Sequence, residues 1–287
     1  MIELIMEPLQ YGFILRGLAA GLLAGISCAL LSSFVVWRGM AFMGDAMAHA
    51  ILPGIVAAYA WGFSLILGAL GAAVVAVFAI GIISSRSSLK EDSAIGIVFA
   101  GLFALGILLL SRIASYQDLS HILFGNILGV SKADLITMSL VALGVLGVLA
   151  SSFKELLVAS FDPTHAVAIG ISPSLIRYLL LLLLAFTTVI AIQSVGVVLV
   201  LALLVTPGAT ASVLTNKLGR MMGISVLTAI VSTGLGFYAS YYWNTASGPT
   251  IVLVLIAIFS LAMLISFLRS TFSGSGNSSE HTAEESS

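Results

Sequence analysis

The chain has 287 residues, 60% of them hydrophobic and 8% charged, with a formal net charge of −1. Soluble domains carry about 25% charged residues, and the mean hydropathy here is +1.19, so a water-soluble globule is excluded and most of the surface must face lipid. There is no basic face for nucleic acid, and the single cysteine, Cys28, cannot form an internal disulfide.

The N-terminal stretch MIELIMEPLQYGF has Glu3 and Glu7 and no basic residue before Arg16. It lacks the positive n-region of a secretory signal, so no cleaved segment is read there. A spanning helix takes about 20 apolar residues. The first run, 13–36, closes at Trp37-Arg38; it contains Cys28, which reads as a small packing residue. Gly17, Gly21 and Gly25 in the same run form a four-residue stripe that lets another helix approach closely.

The second run, 40–61, carries Asp45 and His49; the third, 64–83, ends at the polar stretch SSRSSLKED. The fourth is 93–110. A mixed segment follows over 112–134, and the fifth run is 135–153. The longest polar interruption, 154–177, comes next. The apolar stretch 178–213 is too long for one span, about 54 Å against about 30 Å of hydrocarbon. It is split near Gln193-Ser194. Two further runs, 221–239 and 251–267, are separated by SYYWNTASGPT, whose tyrosines and tryptophan suit a membrane interface. The expected fold is all-α, a polytopic membrane helical bundle of nine spans, or eight if the split at Gln193 is absent. Residues 1–269 form the membrane domain. The Ser/Gly/Glu-rich tail 270–287 is expected to be disordered.

Basic residues give the orientation. With the N-terminus outside and the C-terminus cytoplasmic, Arg38, Arg86, Lys90, Lys154, Arg177, Lys217, Arg220 and Arg269 all fall inside. Arg112 and Lys132 fall outside, and Arg16 lies early in the first span.

Ionisable residues within spans are rare and costly, which makes each a functional candidate. Asp45 and His49 are the acid and the histidine placed within a span, at i and i+4 on one helix face. A carboxylate and an imidazole suit manganese, iron or zinc. Two ligands are too few for a closed structural site and suit an ion that must be released. The same pair could instead bond to each other as a packing contact. Pro53 offers no N–H to the His49 carbonyl and so leaves an oxygen free beside the pair.

In the polar loop, Asp162-Pro163 opens a short helix and Gly170 closes it. This helix either docks on a partner or lies on the membrane surface. His165 within it reads as a surface residue. In QSVGVVLVLALLVTPGATASVL, Gln193, Thr206 and Pro207 either line a cavity through a broken helix or mark an ordinary proline kink. There is no GxxxxGK[ST], so the chain cannot cradle ATP phosphates itself, and no HExxH.

Five stretches in order carry a family resemblance: GDAMAHAILPG (44–54), KEDSAIGIVFA (90–100), HILFGNILGVS (121–131), FDPTHAVAIGI (161–171) and QSVGVVLVLALLVTPGATA (193–211). Over residues 8–268 the chain resembles the integral membrane permeases of bacterial ATP-binding-cassette importers for manganese, zinc and iron. The resemblance implies a type II importer fold like that of the larger cobalamin and siderophore permeases, with one or two fewer spans. It implies a cytoplasmic-membrane protein whose two copies form the pathway. A separate ATPase subunit and an extracytoplasmic metal-binding protein would be partners, and a divalent metal ion the cargo, with no permanently bound cofactor. Asp45 and His49 match the acid and histidine that such permeases place in the pathway. The segment holding Asp162, Ala166 and Gly170 matches the coupling helix that contacts the ATPase. Leu-Pro-Gly after His49 looks more like the manganese and iron members than the zinc members. The competing readings are a secondary transporter or channel for divalent cations, working without an ATPase, and a membrane-embedded enzyme for which no nucleophile or metal set is found.

Overall fold

The computed structural model describes residues 7, 10–86, 89–112 and 127–274. Residues 113–126, with the first part of HILFGNILGVS, and the tail 275–287 lie outside the described residues. The helices are α1 (Gly12–Trp37), α2 (Met43–Ala50), α3 (Leu52–Trp61), α4 (Leu65–Arg86), α5 (Glu91–Leu110), α6 (Lys132–Ser151), α7 (Phe153–Phe161), α8 (Pro163–Ala168), α9 (Pro173–Val195), α10 (Val197–Leu214), α11 (Leu218–Trp243) and α12 (Ser247–Gly274). A 3₁₀ turn, Ile127–Gly129, precedes α6.

Eight of these helices are long and apolar enough to cross a membrane. The apolar segment from Met43 to Trp61, expected as a further span, is in two pieces, neither of which is long enough to cross alone. Pro53 cannot donate to the preceding turn, and the helix is interrupted at Ile51, which itself stays right-handed at φ −77° and ψ −13°. The segment is therefore one kinked passage, α2 followed by α3. It ends at Gly62, which caps α3 in the left-handed conformation. The split expected near Gln193 lies three residues later. Gly196, at φ +89°, ends α9 and starts α10 in a single step that a side chain would strain.

Contacts between helix ends fix the direction of each passage. At one end, Trp37 packs against Phe161 with ring centroids 4.3 Å apart and the planes tilted by 38°. Arg38 donates to the Ala159 carbonyl, and Arg177 donates to Ser84 Oγ and the Gly81 carbonyl. At the other end, Gly17 of α1 lies against Phe237 and the Ile127 carbonyl, and Ser240 bonds Ser247. Helices α1, α4, α6, α10 and α12 thus run toward the Trp37 end. The α2–α3 passage and helices α5, α9 and α11 run away from it. The eight basic residues from Arg38 to Arg269 lie at the Trp37 end, while Arg16, Arg112 and Lys132 lie toward the opposite one. Burial lowers the pKa of Arg38, with Glu91 nearby opposing the shift. The opposite end exposes Trp61 and Trp243, as aromatic residues at a membrane interface do.

Lipid supplies no hydrophobic force between spanning helices, so close packing of small residues must hold them. The α1 glycine stripe does so: Gly17, Gly21 and Gly25 face Phe237, Thr233 and Ala229, three α11 residues at the same four-residue spacing. Cys28 is fully buried between helices.

Candidate metal-translocation site

Helix α2 is short, yet six of its eight residues are buried: Met43, Gly44, Ala46, Met47, Ala48 and Ala50. The other two are Asp45 and His49, whose side chains are 37% and 31% exposed. A helix sunk into the bundle is thus accessible only through its ionisable pair. Gly44 makes the burial of α2 feasible. A Cβ there would come within 2.9 Å of Leu204 Cδ1 on α10.

His49 Nε2 stands 3.5 Å from Asp45 Oδ1. Charge-assisted hydrogen bonds run about 2.7–2.9 Å, so the pair converges without closing on itself. That geometry lets both groups turn toward one ion placed beside them, and it is equally that of an i,i+4 pair held together. The imidazole also meets two phenyl rings of α5, Phe103 at 5.0 Å and Phe99 at 5.7 Å. Sequence reasoning missed both, although Phe99 lies inside KEDSAIGIVFA; an aromatic in an apolar helix carries no signal that it borders a charged group. No cluster of three or more metal-ligating side chains occurs among the described residues.

The Thr206-Pro207 region has a structural account. Pro207 sits inside α10 and is buried with Gly208. The Ser32 hydroxyl on α1 accepts from Gly208 N at 2.8 Å and donates to the Val205 carbonyl at 3.2 Å, stitching the interrupted ladder to a neighbouring helix. A Cβ on Gly208 would overlap the Ser32 backbone. The helix runs unbroken through Pro207 and is closely crossed by α1. Gln193 Nε2 is buried without a hydrogen-bond partner among the described residues.

The polar loop folds as its caps dictate. Asp162 accepts from His165 N at 2.9 Å and from the Thr164 hydroxyl. The Thr164 hydroxyl, followed by the His165 N–H, holds the Asp162 carboxyl below the usual carboxylate range. Gly170, at φ +82°, closes α8, with Ile171 N donating to the Ala166 carbonyl at 2.9 Å. His165 is exposed. Ala166, however, is fully buried, so its methyl seats α8 against the bundle. The apolar surface offered outward comes from Phe161, Val167 and Ile169, residues that spacing alone did not distinguish from the inward set.

Known proteins place this architecture. Residues 10–266 match the family described as the ABC 3 transport family. The manganese transport system membrane protein MntC of Halalkalibacterium halodurans is 46% identical over 261 residues, covering 91% of this chain and 89% of that protein. A probable iron transport system membrane protein of Haemophilus influenzae is 40% identical over 269 residues, 94% of this chain and 99% of its own. Among solved structures, PsaBC from Streptococcus pneumoniae in complex with Fab superposes with a TM-score of 0.80 at 37% identity, covering 91% of this chain and 95% of that one. A metal-chelate type ABC transporter in an inward-facing conformation gives a TM-score of 0.67 at 18% identity, which speaks for the fold alone. With a family match along nearly the whole spanning region and relatives well above 30% identity, the chain belongs to the ABC 3 transport family, as a multi-pass helical membrane permease.

Proposed function

We propose that this chain is the permease subunit of an ATP-driven importer that carries a divalent transition-metal ion, manganese first and iron or zinc after it, across the bacterial cytoplasmic membrane. The observation that carries the reading is the α2 pair, Asp45 and His49, the accessible residues of an otherwise buried helix. Relatives named as manganese and iron transport proteins support the cargo class.

In this reading the two groups take the ion in passing. Imidazole and carboxylate together accept manganese, iron or zinc, and the small number of protein ligands keeps release easy. The remaining coordination comes from water and from a second copy of the chain. The end bearing the eight basic residues is cytoplasmic by the positive-inside rule, which puts the N-terminus outside and the C-terminus inside. Helix α8 then lies on the cytoplasmic side, where Phe161, Val167 and Ile169 offer an apolar patch to a separate ATPase subunit. An extracytoplasmic metal-binding protein delivers the ion at the opposite end.

Reconstitution tests this. Liposomes carrying the permease with its ATPase should take up manganese only with ATP, and Asp45→Ala or His49→Ala should each lower uptake at least tenfold while leaving the protein folded. Normal uptake by both variants would reduce the pair to a packing contact. Uptake by the permease alone without ATP would favour a secondary transporter.

A further inference from the structure

The His49 side of the candidate pair borders aromatic rings. On the flank of His49, Phe103 presents its ring at 62° and Phe99 at 53° to the imidazole. Phe99 and Phe103 stack on each other at 5.8 Å and 14°, and Phe42, just ahead of α2, meets Phe99 edge-on at 5.8 Å and 86°. Phe99 and Phe103 are four residues apart on α5 and pack against the buried core, so the wall is held in place. Three rings thus form a continuous apolar face beside a partly exposed site.

We propose that Phe99 and Phe103 are specificity-determining residues of this site: their rings discriminate against divalent ions that keep their water, magnesium above all. The inference rests on the reading of Asp45 and His49 as cargo ligands. An ion held by these two side chains turns part of its hydration shell toward the rings. A ligand water there finds no acceptor for its hydrogens, and an unmet buried donor is costly. Magnesium dehydrates reluctantly and usually keeps several waters. Manganese, iron and zinc accept the imidazole in place of water. The wall therefore acts on the difference between the two classes of ion while adding no ligand of its own.

The test uses the full-length chain in lipid nanodiscs with manganese alone as probe, free Mn2+ being followed by its paramagnetic resonance and magnesium added as competitor. In Phe103→Asn, which places an acceptor on the wall, the magnesium concentration that displaces half the bound manganese should fall at least tenfold. Manganese affinity itself should stay within about threefold. Phe99→Asn should move competition in the same direction, and it decides the matter if Phe103→Asn does not yield monodisperse protein. Phe103→Leu, which keeps the wall apolar, should compete as the unaltered chain does. Unchanged magnesium competition in the asparagine variants, or an equal shift in Phe103→Leu, would overturn the inference while manganese binding still depended on Asp45. Manganese binding untouched by Asp45→Ala would overturn the metal-pair reading, and this inference with it.

Discussion

Gly54 on α3 and Gly68 on α4 lie face to face, so that a Cβ on either would overlap the backbone carbonyl of the other. The two helices meet backbone to backbone just beyond the Pro53 kink. Gly54→Ala and Gly68→Ala should each force them apart and cost folded protein, read as loss of the monodisperse peak in detergent. Gly71→Ala, on the same α4 with open space at its Cβ, should be neutral or mildly stabilising, since alanine is the better helix former.

The stitch between α1 and α10 makes a second prediction. Ser32→Ala removes one partner from the Gly208 N–H and another from the Val205 carbonyl, both beside buried Pro207. Leaving a buried polar group unpaired costs about 1–3 kcal/mol. The variant should melt several degrees lower in a thermal-unfolding assay in detergent. Gly208→Ala should do more damage, because its methyl meets the Ser32 backbone, which no rotamer change relieves.

Orientation is open to a direct measurement. Ser174 is exposed at the start of α9, close to α8. In a Cys28→Ala background, Ser174→Cys should react with an impermeant thiol reagent only from the cytoplasmic side. Labelling of intact cells from outside would reverse the topology and remove the coupling role of α8.

The coupling surface predicts a split between two kinds of variant. Val167→Asp alters an exposed apolar side chain and should weaken copurification of the ATPase while leaving the permease folded. Ala166→Trp should instead lift α8 off the bundle, because the methyl it replaces is buried. It should therefore lower stability as well as coupling.

The Asp162 cap adds a pH signature. Its folded-state pKa is depressed, so its contribution is present above the ordinary carboxylate range and is lost as pH falls through the lower folded value. Amide protection at residues 165–168, corrected for intrinsic exchange, should hold from neutral pH down to about 4 and decline below it. Asp162→Ala should lack that protection at every pH.

Much of the architecture was legible in the sequence because lipid makes simple demands. Runs near 20 residues long and a glycine stripe in α1 indicate the passages and a packing face, whereas the His49 carbonyl expected to be left free by Pro53 accepts from Ile51 N. The split of 178–213 was placed within three residues because chain length alone ruled out one helix. Asp45 and His49 stood out because charge within an apolar run is costly. Phe99, Phe103 and Ser32 did not stand out. Their roles depend on which helices become neighbours, and helical periodicity in a nearly uniform apolar chain carries little information about that. Ala166 was singled out in the sequence as a small residue of a docking helix, yet only tertiary packing determines that it faces the bundle while Val167 faces away.

The uneven placement of basic residues has a consequence for assembly. Eight of them lie at the Trp37 end and three toward the other. Carrying one unit charge against a membrane potential costs about 2.3 kcal/mol per 100 mV, so an inverted molecule would sit well above the upright one. The positive-inside rule therefore favours one sense of insertion for every copy. Any pair of copies must be related by a rotation axis standing along the membrane normal. In the proposed two-copy pathway an antiparallel pair is therefore disfavoured before any interface forms, and the two Asp45–His49 pairs would stand at equal depth.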